Sequence, residues 1–248
     1  MPFDFNFFKK QRAEFTEPIH SVYQPIVDIA TGDVIGYEAL SRGDHEMPSE
    51  MFRRSYEKGT VIPFDFHCLE SSIKVLPELQ DNQYLFLNIE PLTLEKAFSK
   101  GKEGEEFLKG LAAYSHKVVF ELTEGVKKSD FSFIQRGVEF IRALGYRFAL
   151  DDVDDISVKT AQLASLRPDF LKIDLQLVQG IASNYLNQQI VREMVHLGRV
   201  NGSEMVAEGV EQRSDLEFIR NMGIRYGQGF FFAKPAKELI FSLQLPKE

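Results

Sequence analysis

Cysteine and long apolar runs are nearly absent from this sequence, and each absence excludes a class of protein. Cys68 is the only cysteine among 248 residues, which excludes a disulfide framework and a cysteine-based zinc cluster. No stretch approaches the roughly 18 uninterrupted apolar residues of a membrane span, so we expect none. Residues 1–15 lack the apolar core and cleavage site of a secretory signal, and we expect a cytoplasmic protein.

A basic excess is absent as well. The chain carries 29 Lys and Arg against 37 Asp and Glu, a net charge of −8. Polymeric nucleic acid is therefore not an expected partner, because such binding depends on neutralising many phosphates. A small anionic ligand stays open, because bound metal ions can reverse the local charge.

Short apolar segments alternate with amphipathic ones along the chain. Two apolar runs, residues 22–29 and 34–40, flank Gly32-Asp33 and predict an antiparallel hairpin. About six more strands follow, each alternating with a predicted helix, which indicates parallel βαβ units. The strands are apolar nearly throughout, as burial on both faces requires. The pattern favours a closed α/β barrel, for which about 250 residues suffice, or a doubly wound sheet.

Polar residues follow most of the predicted strands at their carboxyl ends. They are Glu38, Asn88, Glu121, Asp151, Asp152, Lys172, Glu208 and Gln228. In a (β/α)8 barrel these ends converge on one face. Clustered carboxylates repel one another, and hard divalent cations such as Mg²⁺ or Mn²⁺ relieve that repulsion. Two adjacent Asp residues can serve two ions about 3.5–4 Å apart, so the pattern predicts metal-assisted phosphoester hydrolysis.

A purely structural explanation competes at each position, because Asp and Asn after a strand often cap the next helix. Glu is a poor cap, yet Glu38, Glu121 and Glu208 all stand at strand ends. Asp174, Glu124 and Glu211 stay ambiguous between capping and supporting a metal site. The sequence holds no Gly-rich phosphate loop, and its five His residues are scattered.

Taken in order, these motifs resemble the EAL family of cyclic di-GMP phosphodiesterases, from about Tyr23 to Pro235. The motifs that carry the resemblance are Tyr23-Gln24-Pro25, Glu38-Ala39-Leu40, Arg42, Asn88-Ile89-Glu90-Pro91, Glu121-Leu122-Thr123-Glu124, Asp151-Asp152, Lys172-Ile173-Asp174, Ala207-Glu208-Gly209-Val210-Glu211 and Tyr226-Gly227-Gln228-Gly229. The resemblance implies a modified (β/α)8 TIM-like barrel whose first strand is antiparallel. It also implies residues 1–18 as an N-terminal arm and 19–248 as one barrel domain.

The resemblance further implies hydrolysis of cyclic di-GMP to linear pGpG with two divalent cations, Mg²⁺ or Mn²⁺. The implied metal ligands are Glu38, Asn88, Glu121, Asp151, Asp152 and Glu208. Lys172 would bind the attacking water with support from Gln228, and Glu38 and Glu208 would share in catalysis. Gln24, Leu40 and Arg42 would contact the substrate. Glu124 would anchor the loop after Asp152. Asp174 and Glu211 would support the metal ligands without contacting the ions.

The loop after Asp152 departs from the family pattern. The family usually has Asp-Asp-Phe-Gly-Thr/Ser-Gly, whereas this chain has Asp151-Asp152-Val153-Asp154-Asp155-Ile156-Ser157. Loss of both glycines should change the path of the loop, because glycine permits positive φ. In the family this loop couples metal binding to dimerisation, so the resemblance implies a homodimer with altered coupling. A catalytically impaired cyclic di-GMP receptor acting through a protein partner is the alternative.

Overall fold

Eight strands close into a barrel in chain order in the computed structural model, which describes residues 18–98, 101–122, 131–153 and 165–243. The strands are β1 (Ile19–Asp28), β2 (Val34–Gly43), β3 (Tyr84–Asn88), β4 (Val118–Leu122), β5 (Arg147–Val153), β6 (Phe170–Ile173), β7 (Glu204–Ala207) and β8 (Tyr226–Gly227). Strand β1 is antiparallel to both of its neighbours, β2 and β8, and all other pairs are parallel. The modified TIM-like barrel is confirmed, and a doubly wound sheet is excluded.

The β1–β2 hairpin forms where turn residues separate the two apolar runs. Gly32 adopts φ 83°, which glycine reaches without steric cost. The Asp28 carboxylate accepts hydrogen bonds from the backbone N–H groups of Ala30 and Thr31, at 3.0 and 3.3 Å. The resulting register places Gln24 opposite Glu38. Two predicted site residues are therefore brought together by the hairpin itself.

Helices connect the parallel strands on the outside of the barrel. They are α1 (Pro48–Glu57), α2 (Val61–Ser72), α3 (Pro91–Thr93), α4 (Lys102–Gly110), α5 (Phe131–Ala143), α6 (Leu175–Val178), α7 (Tyr185–Asn201) and α8 (Arg213–Asn221). The sequence pattern over residues 175–200, which ends before Gly202, predicts one mostly helical segment, whereas the structure divides it between α6 and α7. Gly180 ends the first part at φ 73°, and the Asn184 side chain caps α7 by accepting a hydrogen bond from the N–H of Asn187 (3.2 Å).

Alternate residues of the strands belong to two separate apolar clusters. Leu85 and Leu87 of β3 pack with the helices in the larger cluster, whereas Phe86 lies in a smaller one with residues from other strands. That smaller cluster comprises Ile26, Phe86, Val119, Ala149, Phe170, Val206 and Tyr226. Because side chains of a strand alternate between two faces, the smaller cluster fills the interior of the barrel.

Several predictions fall on residues outside the described ranges. They concern residues 1–17 of the predicted arm, Glu124 and most of the loop at 153–157. No helix among the described residues has both the length and the apolar character needed to cross a membrane.

Candidate active site

A layer of polar side chains lies directly above the apolar interior of the barrel. Each strand supplies one interior apolar or glycine residue and, two positions nearer the mouth, one polar residue in the strand or just beyond it. We call this set the polar layer, and it consists of Gln24, Glu38, Asn88, Glu121, Asp151, Lys172, Glu208 and Gln228. Strand β2 has Gly36 below Glu38, where a Cβ atom would come within 2.5 Å of the Tyr84 carbonyl oxygen. The period of two residues along a strand therefore brings the predicted residues together.

Lys172 stands at the centre of the polar layer and is completely buried. Its Nζ lies 3.2 Å from Glu38 Oε2, 3.0 Å from Asp151 Oδ1 and 2.5 Å from Glu208 Oε1. It also forms an ion pair with Glu121, whose side chain is equally buried. One ammonium group thus faces four carboxylates, so this part of the site carries a formal charge of −3.

Glu38 is held by neutral amides as well as by Lys172. Asn88 Nδ2 donates a hydrogen bond to Glu38 Oε1 at 3.0 Å, and Gln228 Nε2 donates to Glu38 Oε2 at 2.6 Å. Gln228 Nε2 also lies 3.1 Å from Gln24 Oε1. These contacts fix both oxygens of the Glu38 carboxylate before any ligand binds, which is the preorganisation that electrostatic catalysis requires.

The carboxylates and the ammonium group of the polar layer shift each other's pKa values. Burial raises the pKa of Glu121 well above its ordinary range, with a further rise from Asp151 and Glu38, against the opposing effect of Lys172. Burial and the charge of Asp151 likewise raise the pKa of Glu208. Burial alone would lower the pKa of Lys172, but the surrounding carboxylates outweigh it and raise that pKa. One lysine therefore neutralises the cluster incompletely.

Asp152 adds a fifth carboxylate at the edge of the polar layer. Its backbone adopts φ 52°, a left-handed conformation that Asp tolerates better than most residues. Its side chain is more exposed than that of Asp151. Burial and the charges of Asp151 and Asp174 raise its pKa to about 7. Left-handed backbone at a non-glycine residue costs energy, and such conformations cluster at functional sites.

Two groups of three carboxylates could each hold a cation. Oxygens of Glu38, Glu121 and Glu208 lie within 4.8 Å of one another, and so do oxygens of Asp151, Asp152 and Glu208. Apart from the ion pairs with Lys172, neither oxygen of the buried Glu121 accepts a hydrogen bond from the described residues, and the same holds for Asp151 Oδ1. Oxygen donors of this kind suit hard divalent cations, so the side chains fit two such ions with Glu208 common to both groups.

A cleft leads from the polar layer to solvent. Its cavity of about 200 Å³ is lined by Gln24, Leu40 and Glu208, together with exposed Leu175 and Phe230 at its rim. Lys234 lies over the Phe230 ring, 5.3 Å from its centroid. Leu40 and Arg42 also line a neighbouring cavity of about 220 Å³. The predicted substrate residues therefore line two cavities beside the polar layer, and Leu40 lines both.

The structure gives distinct positions to the two ambiguous acids that it describes. Asp174 caps α6, because its carboxylate accepts a hydrogen bond from the N–H of Gln176 at 2.6 Å. Glu211 lies at the rim of the cleft, where it accepts a hydrogen bond from Gln179 Nε2 at 3.2 Å. Neither lies in the polar layer.

Sequence reasoning missed a second acidic group beside the site. Asp65 of α2 is buried and accepts a hydrogen bond from the N–H of Glu90 at 3.0 Å. Glu90 in turn accepts a hydrogen bond from the Tyr56 hydroxyl at 2.5 Å. Asp65 and Glu90 line the same cavity as Arg42. The available signal was a carboxylate between Phe64 and Phe66, in an otherwise apolar stretch of helix.

Asp65 makes the stability of the fold depend on pH. Burial raises its pKa to about 8, with a smaller contribution from Glu90. A carboxyl whose pKa is raised on folding stabilises the protein fully below the unfolded pKa, and this contribution is lost as the pH rises towards 8. We expect the free energy of unfolding of the native protein to fall relative to Asp65→Asn between pH 5 and about 8, by at most on the order of 1.4 kcal/mol per pH unit, and to level off above that pH.

Urea unfolding of both proteins at pH 5, 7 and 8.5 measures this difference. Glu139→Gln, on an exposed part of α5, serves as the control and should differ from the native protein by the same small amount at every pH. Parallel stability curves for the native protein and Asp65→Asn would show that Asp65 is ionised in the folded state throughout.

Sequence comparison relates the chain to a family and to a characterised relative. The family model described as EAL domain matches residues 11–235. The chain is 28% identical over 220 residues to the cyclic di-GMP phosphodiesterase PdeF of Escherichia coli (strain K12). That alignment covers 86% of this chain and 29% of PdeF, so it concerns only part of the longer protein.

Solved structures of similar fold include complexes with cyclic di-GMP. A standalone versatile EAL protein from Vibrio cholerae O395, in its c-di-GMP-bound form, matches with a TM-score of 0.79 and 26% identity. The match covers 92% of this chain and 97% of that one. Klebsiella pneumoniae BlrP1, in a manganese and c-di-GMP complex, matches with a TM-score of 0.76 and 26% identity over 89% of this chain and 56% of BlrP1. A calcium complex of BlrP1 is also similar.

Proposed function

This chain belongs to the EAL domain family, and we propose that it is a phosphodiesterase that opens cyclic di-GMP to linear pGpG with two divalent cations. The observation that carries the proposal is the polar layer, where four carboxylates surround Lys172 at the mouth of the barrel. A surplus of buried negative charge is costly to a fold unless a ligand uses it.

The carboxylates would hold the two cations in two groups. Glu38 and Glu121, with the amide oxygen of Asn88, would hold one ion, and Asp151 and Asp152 would hold the other, with Glu208 belonging to both groups. Mg²⁺ or Mn²⁺ in such a site supplies Lewis-acid activation of a phosphoryl oxygen and of a water molecule. The buried Glu121 Oε2, which has no polar partner among the described residues, supports this assignment.

Lys172 would orient the attacking water rather than remove its proton. In the metal-free site the carboxylates raise the pKa of Lys172, so Nζ is an ammonium group that donates hydrogen bonds and accepts none. We assign acceptance of the proton of the water to Glu208, which lines the cleft with 13% of its side chain exposed and which the bound cations would hold in its ionised form. The water oxygen forms a bond to phosphorus, the bond from phosphorus to the ribose 3′ oxygen breaks, and that oxygen takes up a proton.

The rest of the cyclic dinucleotide would occupy the cleft and the neighbouring cavity. Arg42 would pair with the phosphate that is not cleaved, since a guanidinium suits phosphate oxygens. Gln24 and Leu40 would line the ligand beside the polar layer, and exposed Phe230 offers an aromatic face to a base. An acidic protein can thus bind an anion, because two divalent cations offset four of its negative charges at the mouth.

The test is turnover of cyclic di-GMP by the purified protein in Mg²⁺ and in Mn²⁺, at several protein concentrations, with pGpG measured by chromatography. We expect pGpG in at least one metal, and specific activity that rises with protein concentration if a homodimer is the active form. Cyclic di-GMP binding by calorimetry with no pGpG in either metal would instead identify the receptor function.

A further inference from the structure

We propose that a cleft between α7 and α8, on the outside of the barrel, binds an acidic and partly apolar segment of a partner protein. We call it the basic cleft, and its cavity measures about 370 Å³. Arg192, His196 and Arg199 of α7 line one side, and Phe218, Asn221 and Met222 line the other. None of these residues belongs to the polar layer, so this proposal stands apart from the catalytic one.

The three basic residues of α7 form one continuous stripe. Their spacing of four and then three residues places them on the same face of the helix. By the same spacing Tyr185 and Gln189 extend the stripe towards the start of α7, and Tyr185 is 73% exposed. From Tyr185 to Arg199 the helix rises about 21 Å at 1.5 Å per residue. An extended segment of about six residues spans that distance.

The charges of the stripe have no partner among the residues that the structure describes. No ion pair or hydrogen bond joins the side chains of Arg192, His196 or Arg199 to a described carboxylate. Other helices behave differently: Arg53 pairs with Glu50 and Glu57. Arg213 of α8 likewise pairs with Glu217. The basic cleft therefore presents two exposed arginines with no described carboxylate to neutralise them, in a chain of net charge −8.

The wall of the basic cleft opposite α7 is partly apolar, and this favours one class of anionic ligand over others. Phe218 and Met222 pack against the core yet remain partly exposed, so they can contact an apolar side chain. Guanidinium groups bind carboxylates through paired hydrogen bonds. A segment in which acidic residues alternate with leucine or phenylalanine satisfies both walls, whereas a phosphate ion uses only the arginines. Polymeric nucleic acid would meet the negative charge of the surrounding protein.

The test uses a fluorescein-labelled ten-residue peptide of Glu with two Leu, and its counterpart with every Glu replaced by Gln. Fluorescence anisotropy with the full chain should show binding of the Glu peptide that weakens with salt, and weaker binding of the Gln peptide. The double variant Arg192→Glu/Arg199→Glu should weaken binding by about tenfold or more, equal to about 1.4 kcal/mol. Lys74→Glu/Lys102→Glu, at two exposed positions outside the cleft, is the matched control and should bind as the native protein does.

Three outcomes would overturn the proposal. The first is equal binding of the Glu peptide by the native protein and by Arg192→Glu/Arg199→Glu, with both folded by circular dichroism. The second is displacement of the peptide by an equal concentration of inorganic pyrophosphate, which would assign the cleft to a small anion. The third is a native dimer in sedimentation that the double variant converts to a monomer, which would make a second copy of this chain the occupant.

Discussion

Glu38→Ala is expected to lose hydrolysis of cyclic di-GMP by about a thousandfold at saturating Mn²⁺, which is the scale seen when one preorganised electrostatic contact is removed from an active site. Glu38 contacts Lys172, Asn88 and Gln228 at the same time. Its removal therefore takes away a proposed metal ligand and also releases the three side chains that it positions. Saturating metal and substrate cannot restore this arrangement, so the loss should appear in kcat.

Two further variants separate charge from shape at this position. Glu38→Gln keeps the size of the side chain but not its charge, and we expect it to be nearly as inactive as Glu38→Ala. Glu57→Gln, at an exposed residue of α1 that pairs with Arg53, should keep native activity. Steady-state kinetics of pGpG release measures all three. Native kcat in Glu38→Ala would refute the role of Glu38 as a metal ligand.

Lys172→Met is expected to destroy activity and, in the same protein, to increase the stabilisation that metal provides. Without the ammonium, four carboxylates meet with no positive charge, and removal of one partner from a buried ion pair typically costs about 3–5 kcal/mol. Divalent cations bind only the folded site and should restore much of that loss. Turnover should nevertheless stay about 10²–10³-fold below native, the usual loss when one preorganised hydrogen-bond donor is removed from an active site.

The readouts are the melting temperature with EDTA and with Mn²⁺, and the turnover rate with Mn²⁺. Lys117→Met offers a matched control, because Lys117 is also buried but donates a hydrogen bond to the Leu79 carbonyl oxygen (3.0 Å), outside the polar layer. It should lower the melting temperature equally with and without Mn²⁺ and leave turnover intact. A metal-induced increase in Lys172→Met no larger than in the native protein would contradict the electrostatic account.

The sequence alone predicts the polar layer well because a strand has a period of two. An apolar residue and a polar residue two positions later recur in strand after strand, as in Phe86 and Asn88 or Phe170 and Lys172. In a closed barrel this spacing leaves little freedom, so both the barrel and the convergence of the carboxylates could be expected.

Other contacts could not be predicted, because they depend on how helices pack against loops. Asp65 and Glu90 are 25 residues apart, and only the placement of α2 against the loop after β3 joins them. The helix predicted from periodicity over 175–200 ignored Gly180, whose left-handed backbone ends α6. The basic cleft likewise follows from the packing of α7 beside α8, which periodicity does not specify.

The antiparallel direction of β1 decides which side of the barrel a neighbouring domain would occupy. Ile19 pairs with Gly43 beyond the mouth end of β2, so the chain enters the barrel on the face that carries the carboxylates. After β8 the chain runs back along β1, where Ala236 forms a β-bridge with Tyr23. It then reaches the turn between β1 and β2, at the opposite end of the barrel, where Ser242 forms a β-bridge with Asp33. A protein joined directly at Pro18 would therefore sit beside the polar layer, and one joined directly at Leu243 would sit at the opposite end of the barrel.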